Sequence, residues 1–164
     1  MSLNTVTQSV ATDQVDVRGP RFSAWVTSVV LLSVLIVSAF STSAAAVILA
    51  AQAATFALGA VRGPRRHPYG RIFATLVAPR LGPATEREPV APLKFAQLVG
   101  LVFALAGAAG FTFGAPLTGV IATGFALAAA FLNAAFGICL GCQIYPLATR
   151  LRYPTANPTQ TKGR

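Results

Sequence analysis

Residues 22–61 read FSAWVTSVVLLSVLIVSAFSTSAAAVILAAQAATFALGAV and contain no Asp, Glu, Lys, Arg or His. A second stretch of the same kind runs from Phe95 to Thr149. Each is far longer than the roughly 20 apolar residues that cross a bilayer, and about right for two crossings. A soluble helical bundle is excluded by the same stretches, because its helices each need a polar face and none is visible here. The composition agrees: only 10% of the 164 residues are charged, against about 25% in a soluble domain.

The expected fold is therefore all-α, an integral membrane bundle of four transmembrane helices arranged as two helical hairpins. The spans are placed at residues 22–40, 44–60, 95–113 and 117–139, within a membrane domain covering 22–148. Ser41-Thr42-Ser43 turns the first hairpin, and Gly114-Ala115-Pro116 turns the second, with Pro116 suited to the first turn of a helix. A polar tail (1–21), a basic loop (61–94) and a basic tail (149–164) complete the chain. The first span is taken as retained rather than as a cleaved signal. Its apolar run exceeds a signal core, and apolar sequence resumes immediately after it.

The basic residues orient the bundle. Arg18 and Arg21 precede span one, and Arg62, Arg65, Arg66, Arg71, Arg80, Arg87 and Lys94 fill the loop. Arg150, Arg152, Lys162 and Arg164 follow span four. With four spans all three segments share one side, which the positive-inside bias makes cytoplasmic. The expectation is a multi-pass protein of the cell inner (plasma) membrane with both termini in the cytoplasm. The net charge of +9 is then juxtamembrane charge for anionic lipid. No motif for reading bases accompanies it, so nucleic-acid binding is excluded. Arg18, Arg21, Arg62, Arg65, Arg66, Arg71 and Arg80 are the candidates for contact with lipid or a partner. The segment from Arg71 to Arg80 is read either as an interfacial helix or as an ordinary connector. Val-Arg-Gly-Pro-Arg occurs at 17–21 and again at 61–65, both times at a membrane boundary.

Inside the spans the strongest polar groups are Gln52, Gln97 and Asn133. An amide facing lipid is costly, so each is expected to bond another helix or face a polar solute. Gly110/Gly114 and Gly137/Gly141 have the GxxxG spacing of close helix contacts. Ionisable groups at bilayer depth, which proton-coupled carriers and voltage sensors need, are missing. His67 is the chain's sole histidine, in the basic loop, and no Ser-His-Asp or paired-carboxylate pattern occurs.

The chemically suggestive element is Cys139-Leu-Gly-Cys142. Cysteines at i and i+3 share a helical face, and the spacing suits a redox dithiol acting through its thiolate. Read as the end of span four, the pair feels a negative dipole that opposes a thiolate, while Arg150 and Arg152 favour one. Three readings stay open: redox or sulfur-handling thiols, buried packing residues, or a metal site completed by another chain. Neither a resident cofactor nor a metal is expected. With one pair only, electrons need a second pair, a quinone or a partner.

Val17-Arg-Gly-Pro-Arg-Phe22, His67-Pro-Tyr-Gly through Arg80-Leu-Gly-Pro83, Phe95-Ala-Gln97 and the run from Asn133 to Cys142 together resemble a bacterial membrane family, domain of unknown function 4395. The resemblance spans residues 16–148. It implies a link between Cys139, Cys142 and thiol or sulfur chemistry, with a thioredoxin-like or sulfurtransferase protein as partner, and it carries over no catalytic residue. Beside this stands a different reading, a non-enzymatic scaffold or subunit of a membrane complex.

Overall fold

The computed structural model describes residues 14–84 and 86–145. The basic tail 149–164, with its four cations, and the first thirteen residues lie outside them. Four long helices carry the fold: α1 (Arg18–Ser38), α2 (Thr42–Arg62), α4 (Val90–Thr112) and α5 (Pro116–Phe136). Each has 21 or 23 residues, which at about 1.5 Å per residue matches a hydrocarbon core of about 30 Å. Between the hairpins the chain forms a short helix, α3 (Pro68–Ile72), then a π turn (Phe73–Val77) and a 3-10 turn (Ala78–Arg80). Strand β1 (Gln14–Asp16) pairs antiparallel with β2 (Arg87–Pro89), placing Val15 opposite Glu88 and Asp16 opposite Arg87.

The helices are inverted relative to a soluble protein. α1 buries Gly19, Ala24, Thr27, Ser28, Leu31 and Val34, at helical spacing. Its large apolar residues Val29, Leu32 and Ile36 face outward. α5 does the same, burying Gly119, Ala122, Thr123 and Ala126 while exposing Leu117, Ile121 and Phe125. Such an apolar exterior is a surface for lipid, and the molecule is a multi-pass membrane bundle. The most extensive packing joins α2 to α4 and α1 to α5. The corner order is thus α1, α2, α4, α5.

Several boundaries differ from the sequence expectation, each for a local reason. α1 begins at Arg18, within the expected polar tail, where the Arg18 N–H donates to Asp16 Oδ1 at 3.0 Å and Gly19 is already buried. α4 begins at Val90, five residues before the charge-free stretch, since Val90 and Leu93 are buried and only Lys94 interrupts them. The expected fourth span, 117–139, ends early. Gly137 adopts φ +70°, and its N–H and that of Ile138 return to the carbonyls of Asn133 and Leu132.

The glycine pairs also resolve differently. Gly110 is a contact residue: a β-carbon there would lie 2.6 Å from the Gly119 backbone nitrogen, so α4 and α5 touch backbone to backbone. Gly114 is a turn residue at φ +77° with nothing near it. Gly137 ends a helix, and Gly141 lies against Ala96 of α4. Neither pair forms a single packing face. The two Val-Arg-Gly-Pro-Arg copies likewise take opposite roles, the first opening α1 and the second closing α2, where Gly63 has φ +81°.

Candidate functional site

Thr27, His67, Gln97, Asn133 and Cys139, from five different parts of the chain, line one cavity. After Gly137 the chain turns and starts a further helical turn at residues 140–145. This turn packs on α4, with Gly141 on Ala96 and Tyr145 edge-on to Phe95 at 5.9 Å. Cys139 therefore precedes a helical turn and does not end span four, so the expected opposing dipole is absent.

Cys139 Sγ accepts the backbone N–H of Cys142 at 3.3 Å. Both thiols are free and half-buried. A hydrogen bond from the Cys142 thiol holds Cys139 below the ordinary thiol range, against the opposing effect of burial, with help from the backbone N–H groups of Cys142 and Gly141. That same bond, together with burial and the charges of Cys139 and Glu88, pushes Cys142 up. Cys142 packs on Val15, Val90 and Leu93, so the β1–β2 ladder backs it. The pair is asymmetric: the shared hydrogen bonds favour the thiolate at Cys139 and disfavour it at Cys142. Glu88, nearby on β2, is raised by burial and by Glu86, with Arg21 opposing.

Cys139 opens onto a cavity of about 250 Å³ between the four long helices. Thr27 of α1, Phe56 of α2, Gln97 and Phe103 of α4 and Asn133 of α5 contribute to its wall, as does His67 from the loop. Of the three expected intramembrane amides, two thus reach one chamber. Gln52 takes a different role. It is 2% exposed, and its Oε1 accepts the Tyr69 hydroxyl at 2.8 Å. Burial raises the Tyr69 phenol.

His67 is the residue that sequence reasoning missed as a site. It is 2% exposed, with its ring edge-on to Tyr69 at 5.0 Å. Burial lowers it to about 4, so the imidazole is neutral at physiological pH. Among the described residues neither ring nitrogen has a hydrogen-bond partner, nor do Gln97 Oε1 and Gln52 Nε2. A β-carbon on Gly59 would stand 2.8 Å from both Gln97 Oε1 and His67 Cδ2. Both side chains therefore converge on the notch that this glycine leaves. Buried polar atoms left unpaired are rare and call for an explanation.

The arginines divide. Arg18 donates to the carbonyls of Gly82 and Pro83 at 3.1 and 3.5 Å, and Arg65 to that of Gln14 at 2.8 Å. These two tie the loop and β1 to the bundle. Arg21 lies against Gly137. Arg62, Arg66, Arg71 and Arg80 are exposed. The segment from Arg71 to Arg80 is helical and anchored by buried Phe73, which packs 5.8 Å from Phe22 and against Gly19. Among the described residues no cluster of three or more His, Cys, Asp or Glu side chains is arranged to hold a metal.

No curated protein and no solved structure matches the chain. A family described as a domain of unknown function (DUF4395) matches it over residues 15–150, which take in the four helices, all of the ladder but Gln14, His67 and both cysteines. By that match, the chain belongs to the DUF4395 family.

Proposed function

We propose that this protein is a membrane thiol–disulfide exchange protein, in which Cys139 and Cys142 cycle between dithiol and disulfide with a partner protein. The observation that carries the reading is the asymmetry of the pair: Cys139 lines a cavity and its Sγ accepts the Cys142 N–H, which favours its thiolate, while Cys142 packs on Val15, Val90 and Leu93. A packing role demands no such arrangement.

Stabilising the thiolate stabilises the reduced pair and makes its disulfide an oxidant. In the favoured direction a thiolate of a partner dithiol attacks Cys139 Sγ. The Cys139–Cys142 bond breaks, and Cys142 leaves and takes a proton. The partner's second thiolate then attacks the mixed disulfide and expels Cys139 as its stabilised thiolate. Two electrons pass to the pair, and the partner keeps a disulfide. The positive-inside bias puts this end of the bundle in the cytoplasm, at the inner membrane, where a thioredoxin-like or sulfurtransferase protein is the expected partner. The exposed arginines Arg62, Arg66, Arg71 and Arg80 suit lipid phosphates or an acidic docking face.

The test is the redox state of the pair in intact membranes, trapped with a mass-tagged alkylating reagent before and after a mild oxidant. Reversible formation of an intramolecular Cys139–Cys142 disulfide is expected. Thiols that stay reduced and unreactive would overturn the reading and leave a non-enzymatic scaffold in its place.

A further inference from the structure

We propose that the cavity beside Cys139 binds the ring of a quinone, which takes two electrons from the Cys139–Cys142 dithiol. This rests on the exchange reading above and supplies the oxidant that reading lacks.

Three independent features point to this class of ligand. The first is the unpaired polar atoms. His67 is almost fully buried, lines the cavity and has both nitrogens free, and Gln97 Oε1 beside it is free as well. A neutral imidazole offers one N–H donor and one bare acceptor. A quinone oxygen accepts the N–H, and the O–H of the hydroquinone donates to Gln97 Oε1. Both residues belong to the wall of the chamber, where rotation of the two side chains away from Gly59 brings their free atoms to the ring in either state.

Second, the mouth is apolar. Phe125, Leu140 and Ile144 line the cavity and are also exposed on the outside of the bundle. A ligand entering past them comes from the lipid phase and not from water. Phe56 and Phe103 supply flat apolar walls further in. At about 250 Å³ the chamber falls below the roughly 300–1,000 Å³ of drug-sized sites, so it takes a ring and leaves a tail outside.

Third is electron accounting. The sequence holds two cysteines, and a pair that its partner has reduced needs an oxidant before it can be used again. A lipid-soluble two-electron acceptor meets that need from the side where the cavity opens.

The step balances. Cys139 Sγ, as thiolate, bonds to a ring carbon. Cys142 Sγ attacks Cys139 Sγ, forming the disulfide and breaking the sulfur–carbon bond, and loses its thiol proton. The ring departs with two electrons. Its oxygens take two protons, one from Cys142 and one from water, replacing the proton that Cys139 had released.

The full chain, reduced and held in lipid nanodiscs, would be mixed with decylubiquinone, whose fully substituted ring has no hydrogen to lose and so does not trap the thiol adduct. A parallel sample would receive cystamine, a water-soluble disulfide. Disulfide formation is read by mass-tag alkylation, and quinone consumption by absorbance. The expected result is one quinone reduced per disulfide formed. In Gln97→Leu the quinone rate should fall about tenfold relative to the cystamine rate, the worth of one buried hydrogen bond, and in Ala130→Leu, which narrows the chamber, it should fall as well. Oxidation by cystamine but not by quinone would overturn the quinone site and leave the exchange function standing. Equal ratios in wild type and both variants would do the same. A pair inert to both reagents would overturn the two readings together.

Discussion

The backbone N–H of Cys142 points at Sγ of Cys139 across 3.3 Å, so the second cysteine of the element acts as a donor to the first. This relation ranks the two sulfurs. At pH 7 Cys139 should react with iodoacetamide at least about tenfold faster than Cys142, one pKa unit being worth a factor of ten. Peptide mapping of briefly alkylated protein checks it, and equal labelling would contradict the ranking.

His67 gives a pH signature. Its folded value, about 4, lies below the ordinary 6.5, so between these values the unfolded chain binds the extra proton. Stability is then complete above pH 6.5 and falls as pH drops towards 4, by at most about 3 kcal/mol. Thermal unfolding in detergent from pH 4 to 7 should show this slope in wild type, and His67→Gln should flatten it.

Half-buried Tyr69 and buried Gln52 form a pair. Tyr69→Phe leaves the Gln52 amide without its partner and should cost about 1–3 kcal/mol. The double variant Tyr69→Phe, Gln52→Leu removes both polar ends and should recover most of the loss. A double-mutant cycle of unfolding free energies measures the difference.

Two glycines offer a contrast. Gly110→Val puts a branched side chain where the Gly119 backbone lies, and should cost about 1–3 kcal/mol by overpacking. Gly124 has nothing within 4 Å of a β-carbon, so Gly124→Ala should be neutral or slightly stabilising, as alanine is the better helix former. Melting temperatures in one detergent decide both.

The sequence made the four helices readable because bilayer burial forbids charge over a full span, and that constraint is written residue by residue between Phe22 and Val61. It also exposed Gln97 and Asn133, whose amides stand out against apolar neighbours and share one chamber. His67 stayed hidden. It follows Arg65 and Arg66, which are exposed, and only the tertiary approach of Gly59 on α2 and of Tyr69 encloses it. The ladder was equally invisible: Asp16, Arg87, Glu88 and Pro89 show no alternation, and the two strands lie more than seventy residues apart. At Gly137 a local conformation overrode a spacing rule. The same residue that fits a GxxxG pattern supplies the positive φ that stops α5 and frees Cys139 from it.

The β1–β2 ladder joins the two halves of the chain across the loop it closes. β1 travels with α1 and α2, β2 with α4 and α5, and Arg18 reaches from the first half to the carbonyls of Gly82 and Pro83. If the backbone were severed between those carbonyls and β2, each fragment would keep a whole hairpin and one strand of the clasp. Folding would then become an encounter between two molecules, with a midpoint set by their concentrations. The linking loop thus acts as a tether that raises the local concentration of one hairpin around the other, and the protein is built as a heterodimer written on a single chain.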